Sequence, residues 1–219
     1  MINFRTDLAL ERRDLFRKAN NISNEVDGLE TQEETFDDNI KISRVKVLNE
    51  SGEQAIGKRK GTYITIDIKN LKIAGESQIQ KASEAVTKEL KNLIENLVAP
   101  QEEILVVGLG NLYVTPDALG PKVVNEIDIT RHLLNYMPDI LDKDTRPVSA
   151  IAPGVLGTTG IETLEVIKGI VENIHPKLII VIDALASRSI ERISSTVQLA
   201  DTGIVPGAGV GNERKELTK

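Results

Sequence analysis

The chain has no cysteine, no tryptophan and only two histidines in 219 residues. Without cysteine there is no thiolate nucleophile, no zinc-thiolate or iron-sulfur site, and no dependence on redox compartment. Aromatic residues make up 3% of the chain, which removes the stacking platforms used for single-stranded nucleic acid. Charge of one sign is also lacking, since 27 Lys+Arg stand against 33 Asp+Glu for a net charge of -6. Such a balance gives no global attraction to nucleic acid or to an anionic membrane. No apolar run approaches the roughly 20 residues of a membrane span. The opening MINFRTDLALERRDLFRKA interrupts every apolar stretch with charge, unlike a secretory signal. These absences together read as a soluble cytoplasmic protein.

What is present is a change of pattern along the chain. Leu8, Leu15 and Ile22 recur every seven residues, predicting a short amphipathic helix near the N-terminus. From Asn20 to Ile40 there are seven acidic residues and no basic one, which reads as a solvated loop. Its carboxylates are also candidates for a charge switch that responds to acid. The alternating segments ISRVKVL (Ile42 to Leu48) and TYITIDI (Thr62 to Ile68) predict two strands paired as a hairpin. Three glycines between them predict a long loop with at most a small extra turn.

Ile79, Ala82, Val86, Leu90, Leu93 and Leu97 follow helical spacing, and Pro100 ends the pattern. After this helix the chain alternates strand and helix. EEILVVGLGN leads to a helical stretch from Lys122 to Tyr136, then RPVSAIAPG, a second helical stretch from Gly160 to Ile174, and the apolar strand Leu178 to Ile182. The predicted class is α/β, an open and mostly parallel sheet with helices on both faces, preceded by a β-hairpin region. The last strand reads as central and buried on both faces. No closing element follows the glycine-rich TGIVPGAGVGNERKELTK, so the chain reads as cut short.

Several motifs compete for function. Val107 to Asn111 (VGLGN) lacks the third glycine of a dinucleotide loop, because Tyr113 stands at its place. His132 and His175 have no partner at metal-ligand spacing and read as helix-surface or capping residues. Ser187 and Ser189 offer hydroxyls without a nucleophile elbow. Asp117, shortly after one predicted strand, and Asp183, ending another, should lie at the same sheet edge. Two such carboxyl groups repel each other and separate their pKa values, leaving one to activate water and one to protonate a leaving amine. The plain alternative is that Asp117 caps a helix and Asp183 closes a turn.

Around these residues the sequence resembles a known family. GTYITI, GLGNLYVTPDALGPKVV, TRHLL, RPVSAIAPGVLGTTGIET, VIDALASRS and ADTGIVPGAGVGNERK, in that order, are similar to the germination protease of endospore-forming bacteria. The resemblance implies an aspartic-type endopeptidase with no cofactor and no metal, whose core resembles hydrogenase-maturation endopeptidases. It implies catalytic roles for Asp117 and Asp183. It further implies a zymogen that removes its own propeptide, and a homotetramer in the forespore or spore core. Its substrates would be small acid-soluble spore proteins, with no direct binding of nucleic acid or membrane.

In that family the cut site resembles Thr-Glu, then Phe or Ile, then Ala-Ser-Glu, cut after the first Glu. Thr6-Asp7-Leu8-Ala9-Leu10-Glu11 copies it and places self-cleavage between Asp7 and Leu8. Leu10 replaces the small serine, which is expected to slow the cut. The implied division is a propeptide over residues 1–7 and a peptidase domain over 8–219 that lacks the family's C-terminal part. The competing readings are a metal-sensing maturation-type peptidase and an inactive chain that only binds spore proteins.

Overall fold

A computed structural model describes residues 5–205. Residues 1–4 of the expected propeptide and the glycine-rich end over 206–219 lie outside the described residues. The chain divides into two compact units, Met1–Leu93 with Leu185–Lys219, and Ile94–Ala184. The architecture is mixed α/β, with one antiparallel and one parallel sheet.

In the first unit, β1 (Leu29–Asp37), β2 (Ile40–Val47), β3 (Gly61–Ile68) and β7 (Thr196–Ala200) form an antiparallel sheet in the order β1-β2-β3-β7. The β2–β3 hairpin is as expected, and its period-two alternation supplies two apolar faces. Ile40, Ile42, Ile64, Ile66 and Ile68 pack on Ala82 and Ala85 of helix α3 (Glu76–Glu95). Val45, Val47 and Tyr63 pack with Ala9 and Leu10 of helix α1 (Ala9–Ala19) and with Ala55 and Ile56 of helix α2 (Glu50–Ile56). The predicted inter-strand loop therefore contains a helix. Asn49 caps it by accepting from the Gly52 amide at 3.1 Å, and Gly57 ends it in the left-handed region.

The acidic segment is not a loop, because residues 29–37 form β1. Its carboxylates meet cations of other elements: Glu33 pairs with Lys41 and Glu34 with Arg44 at 2.9 Å, both on β2, and Asp37 with Lys81 of α3. Each of these carboxyls is held below its ordinary pKa, chiefly by hydrogen bonding to that cation. Mild acid therefore leaves them ionised, which argues against the acid-switch expectation. Arg44 also donates to the buried Glu89 of α3 through Nε and Nη2, at 3.1 and 2.6 Å, which clamps the helix to the sheet.

The second unit holds a parallel sheet of β4 (Ile104–Gly108), β5 (Val148–Ile151) and β6 (Leu178–Ile182) in the order β5-β4-β6. The central strand is thus β4, with every residue buried, while β6 is a half-buried edge. An apolar run signals burial without saying which strands flank it. The single helix expected over Lys122 to Tyr136 is two, α4 (Leu119–Glu126) and α5 (Arg131–Tyr136). The break has a local cause. Thr130 accepts the Val148 amide at 2.9 Å and donates to the Arg146 carbonyl, drawing the chain onto β5. The short helix α6 (Leu156–Thr159) and helix α7 (Thr163–Ile174) lead into β6.

Candidate active site

Parallel strands deliver their carboxyl ends to one edge, where ligands and reacting groups collect. Here the chain leaving β4 is tied to the end of β6 by the Leu109 amide, which donates to the Ile182 carbonyl at 2.8 Å. Asp183 follows Ile182 directly, and its carboxylate accepts the Ala184 amide at 2.8 Å. Two residues past Leu109, the Asn111 amide donates to both the Asp117 carboxylate, at 2.9 Å, and the Asp117 carbonyl, at 3.0 Å. Asp117 is therefore anchored to the loop over 109–111, Asp183 directly follows the residue that loop is tied to, and both are half-buried.

Glycine makes this closure possible. A Cβ at Gly120 would stand 2.6 Å from the Ile182 carbonyl and closer still to the Leu109 backbone. Gly110 has φ +115° and lies against the Asp117 backbone, so a side chain there is excluded twice. The glycines of VGLGN thus serve backbone contact rather than a phosphate cradle. Asp117 is not the helix cap of the plain alternative, since Ala118 occupies that position before α4.

Other candidates find different roles. His132 is an exposed residue of α5, and His175 ends α7 with a left-handed backbone, donating its amide to Val171 at 2.9 Å. Ser187 lies within hydrogen-bond distance of the Glu11 carboxylate and of the Ser189 carbonyl, and no histidine stands beside it as in a Ser-His pair. Among the described residues no group of three His, Cys, Asp or Glu side chains converges as a metal site. No helix of the described residues is long and apolar enough to cross a membrane.

The family model described as germination protease matches residues 6–219. The chain belongs to the germination protease family. Germination proteases of Clostridium perfringens and Caldanaerobacter subterraneus are 51% and 49% identical to it over the whole of this chain. That of Priestia megaterium is 48% identical over 98% of it. The chain spans 66%, 65% and 58% of the length of these three relatives, respectively.

The segment over residues 6–11, which resembles a germination protease cut site, lies in the first unit and is held tightly. Leu8 has no exposed surface. Asp7 donates its amide to the Ala186 carbonyl at 2.9 Å and accepts the Ala186 amide on its carboxylate at 3.0 Å. Gln198 donates to the Asp7 carbonyl at 3.1 Å and accepts the Ala9 amide at 2.8 Å. Glu11 is the hub that sequence reasoning missed as a structural centre. Its carboxylate accepts from Thr6, from the Arg188 and Ser189 amides, from Ser187 and from Arg192. Burial alone would push the Glu11 carboxyl up, and these hydrogen bonds outweigh it and hold the carboxyl below its ordinary value. The only signal in the sequence was the place of Glu11 at the end of the cut-site pattern.

Proposed function

We propose that this chain is the catalytic part of an endopeptidase that degrades small acid-soluble spore proteins during germination, with Asp117 and Asp183 as its catalytic pair. The observation that supports the reading is the loop over 109–111 that leaves β4: its Asn111 amide holds Asp117, and its Leu109 amide bonds to Ile182 at the end of the adjacent parallel strand β6, directly before Asp183. In this mechanism the ionised aspartate takes a proton from water as its oxygen attacks the peptide carbonyl. The protonated one gives its proton to the amide nitrogen as the C–N bond breaks. The protein works in the spore core as a homotetramer. It is made as a zymogen whose residues 1–7 are removed by its own activity between Asp7 and Leu8.

The test is cleavage of a purified small acid-soluble spore protein by the parent chain and by its Asp117→Asn and Asp183→Asn variants. The reading predicts cleavage by the parent that is unaffected by a chelator, and a fall of at least a hundredfold in each variant. Full-rate cleavage by either variant would remove that aspartate from the mechanism.

A further inference from the structure

The amide of Leu8 is tied to Glu11 through one hydroxyl. Leu8 is the cap residue of α1, and its N–H donates to Thr6 Oγ1 at 3.2 Å, while the same hydroxyl donates to Glu11 Oε2. Glu11 is the third residue of the helix, the position from which a carboxylate ordinarily reaches back to the cap N–H itself. Thr6 therefore occupies the middle of a contact that the helix could make directly. The Leu8 nitrogen and Glu11 Oε2 are no further apart than these two bonds laid end to end.

Both partners are held by groups that a cut after Asp7 leaves behind. The Leu8 side chain is fully buried, and the Ala9 amide donates to Gln198 at 2.8 Å. The Glu11 carboxylate accepts the Arg188 amide at 2.9 Å, and the Ser189 amide and Arg192 Nη1 at 3.2 Å each. Arg192 is not free to swing into the place of Thr6, because Asp67 accepts from its Nε and Nη2 at 3.1 Å each. Arg12 is likewise occupied, with its Nη1 on the Gly57 carbonyl at 2.9 Å.

Hydrolysis of the 7–8 bond adds one water across it. Asp7 takes the new carboxylate and leaves with Thr6, while Leu8 keeps the nitrogen, which becomes an ammonium. That positive charge sits at the positive end of the α1 dipole, where it is unfavourable without a counter-charge. Beside it, the buried Glu11 carboxylate has lost one of its donors, which is also unfavourable. A single contact between the two answers both.

We propose that the α-ammonium of Leu8 takes the place of the Thr6 hydroxyl on Glu11, so that a buried ion pair fastens the start of α1 to the turn over 187–192 in the processed chain. The uncut chain joins the same two elements through a neutral hydroxyl, and the cut exchanges that relay for a charged bond. The inference rests on the proposed cut for the identity of the new N-terminus, and its test makes that terminus without self-cleavage.

The chain is produced with a removable leader in place of residues 1–7, whose protease leaves either Leu8 or one added glycine as the first residue. Each form is made with Glu11 and with Glu11→Gln. Starting at Leu8 rather than at the glycine should raise the melting temperature by about 4 °C or more when Glu11 is present, and by less than about 1 °C when it is not. At neutral pH the Leu8 amine should react with an acylating reagent roughly tenfold more slowly than the glycine amine, because the carboxylate holds it as an ammonium. The labelling comparison uses the two Glu11 forms alone and stands even where Glu11→Gln does not fold. Equal melting temperatures or equal labelling of those two forms overturns the pair, as does a Leu8 form that fails to fold. The full chain, left to process itself, separates the two claims. If it never loses residues 1–7 while the Leu8 form labels slowly, self-processing falls and the pair stands. If it loses them and the new terminus labels as fast as the glycine amine, the pair falls and self-processing stands.

Discussion

Asp7 and Ala186 exchange two hydrogen bonds, amide to carbonyl at 2.9 Å and amide to carboxylate at 3.0 Å, across 179 positions of sequence. The residue preceding the expected cut is therefore fastened on both its backbone and its side chain. A protease cannot engage a bond so enclosed, so the proposed self-processing predicts that residues 6–11 come away first and that their release limits the rate.

Gln198 tests this. Its side chain holds Asp7 and Ala9 with two hydrogen bonds, each worth about 1 kcal/mol. Gln198→Ala should speed the loss of residues 1–7 roughly tenfold, since about 1.4 kcal/mol is a factor of ten in an equilibrium or rate. Intact-mass time courses of parent and variant measure it, and an unchanged rate would mean that release is not limiting.

Glu11 sets an acid limit on the same segment. Its folded pKa lies below the ordinary 4.5, so its contribution to stability is fully present above 4.5 and is lost as pH falls through the lower folded value. Glu11→Gln should lower the melting temperature at pH 7, with the gap to the parent closing only below about pH 4.5. A gap that closed near pH 6 would contradict the hydrogen-bonded carboxylate described here.

Gly120 carries the closure beneath the two aspartates. Gly120→Ala places a Cβ 2.6 Å from the Ile182 carbonyl and should destabilise the fold by about 2 kcal/mol or more, with loss of peptidase activity. Gly169 of α7 has open space around it, so Gly169→Ala should be neutral or stabilising by up to about 1 kcal/mol. Urea denaturation of the two variants makes the comparison.

Glu89 anchors α3 through Arg44, and it is 3% exposed. Glu89→Ala should cost about 2 kcal/mol in urea denaturation, because it removes two charge-assisted hydrogen bonds from a partly buried guanidinium and leaves it only the exposed Glu34. Replacing both residues with leucine should cost less than the single change.

Local patterns made part of this legible in advance. The alternation in ISRVKVL and TYITIDI specified β2 and β3, and the three-and-four spacing of Ile79, Ala82 and Val86 specified α3. The strand-end rule pointed to Asp183, which directly follows β6, and to Asp117, which the loop after β4 holds through the Asn111 amide. Non-local pairing hid the rest. β1 looked like a solvated acidic run because the cations that neutralise it, Lys41, Arg44 and Lys81, come from other elements. β7 escaped notice because its only strand partner among the described residues, β3, is more than a hundred residues earlier. The donors around Glu11 were invisible for the same reason, since two of them are backbone amides nearly 180 positions away.

The central claim is that an aspartate pair cuts peptide bonds, the chain's own among them. The most direct measurement is an intact-mass time course at mildly acidic pH on the parent chain and its Asp183→Asn variant. The account predicts that the parent alone loses Met1 to Asp7. Loss of that segment at the same rate from both chains would contradict it.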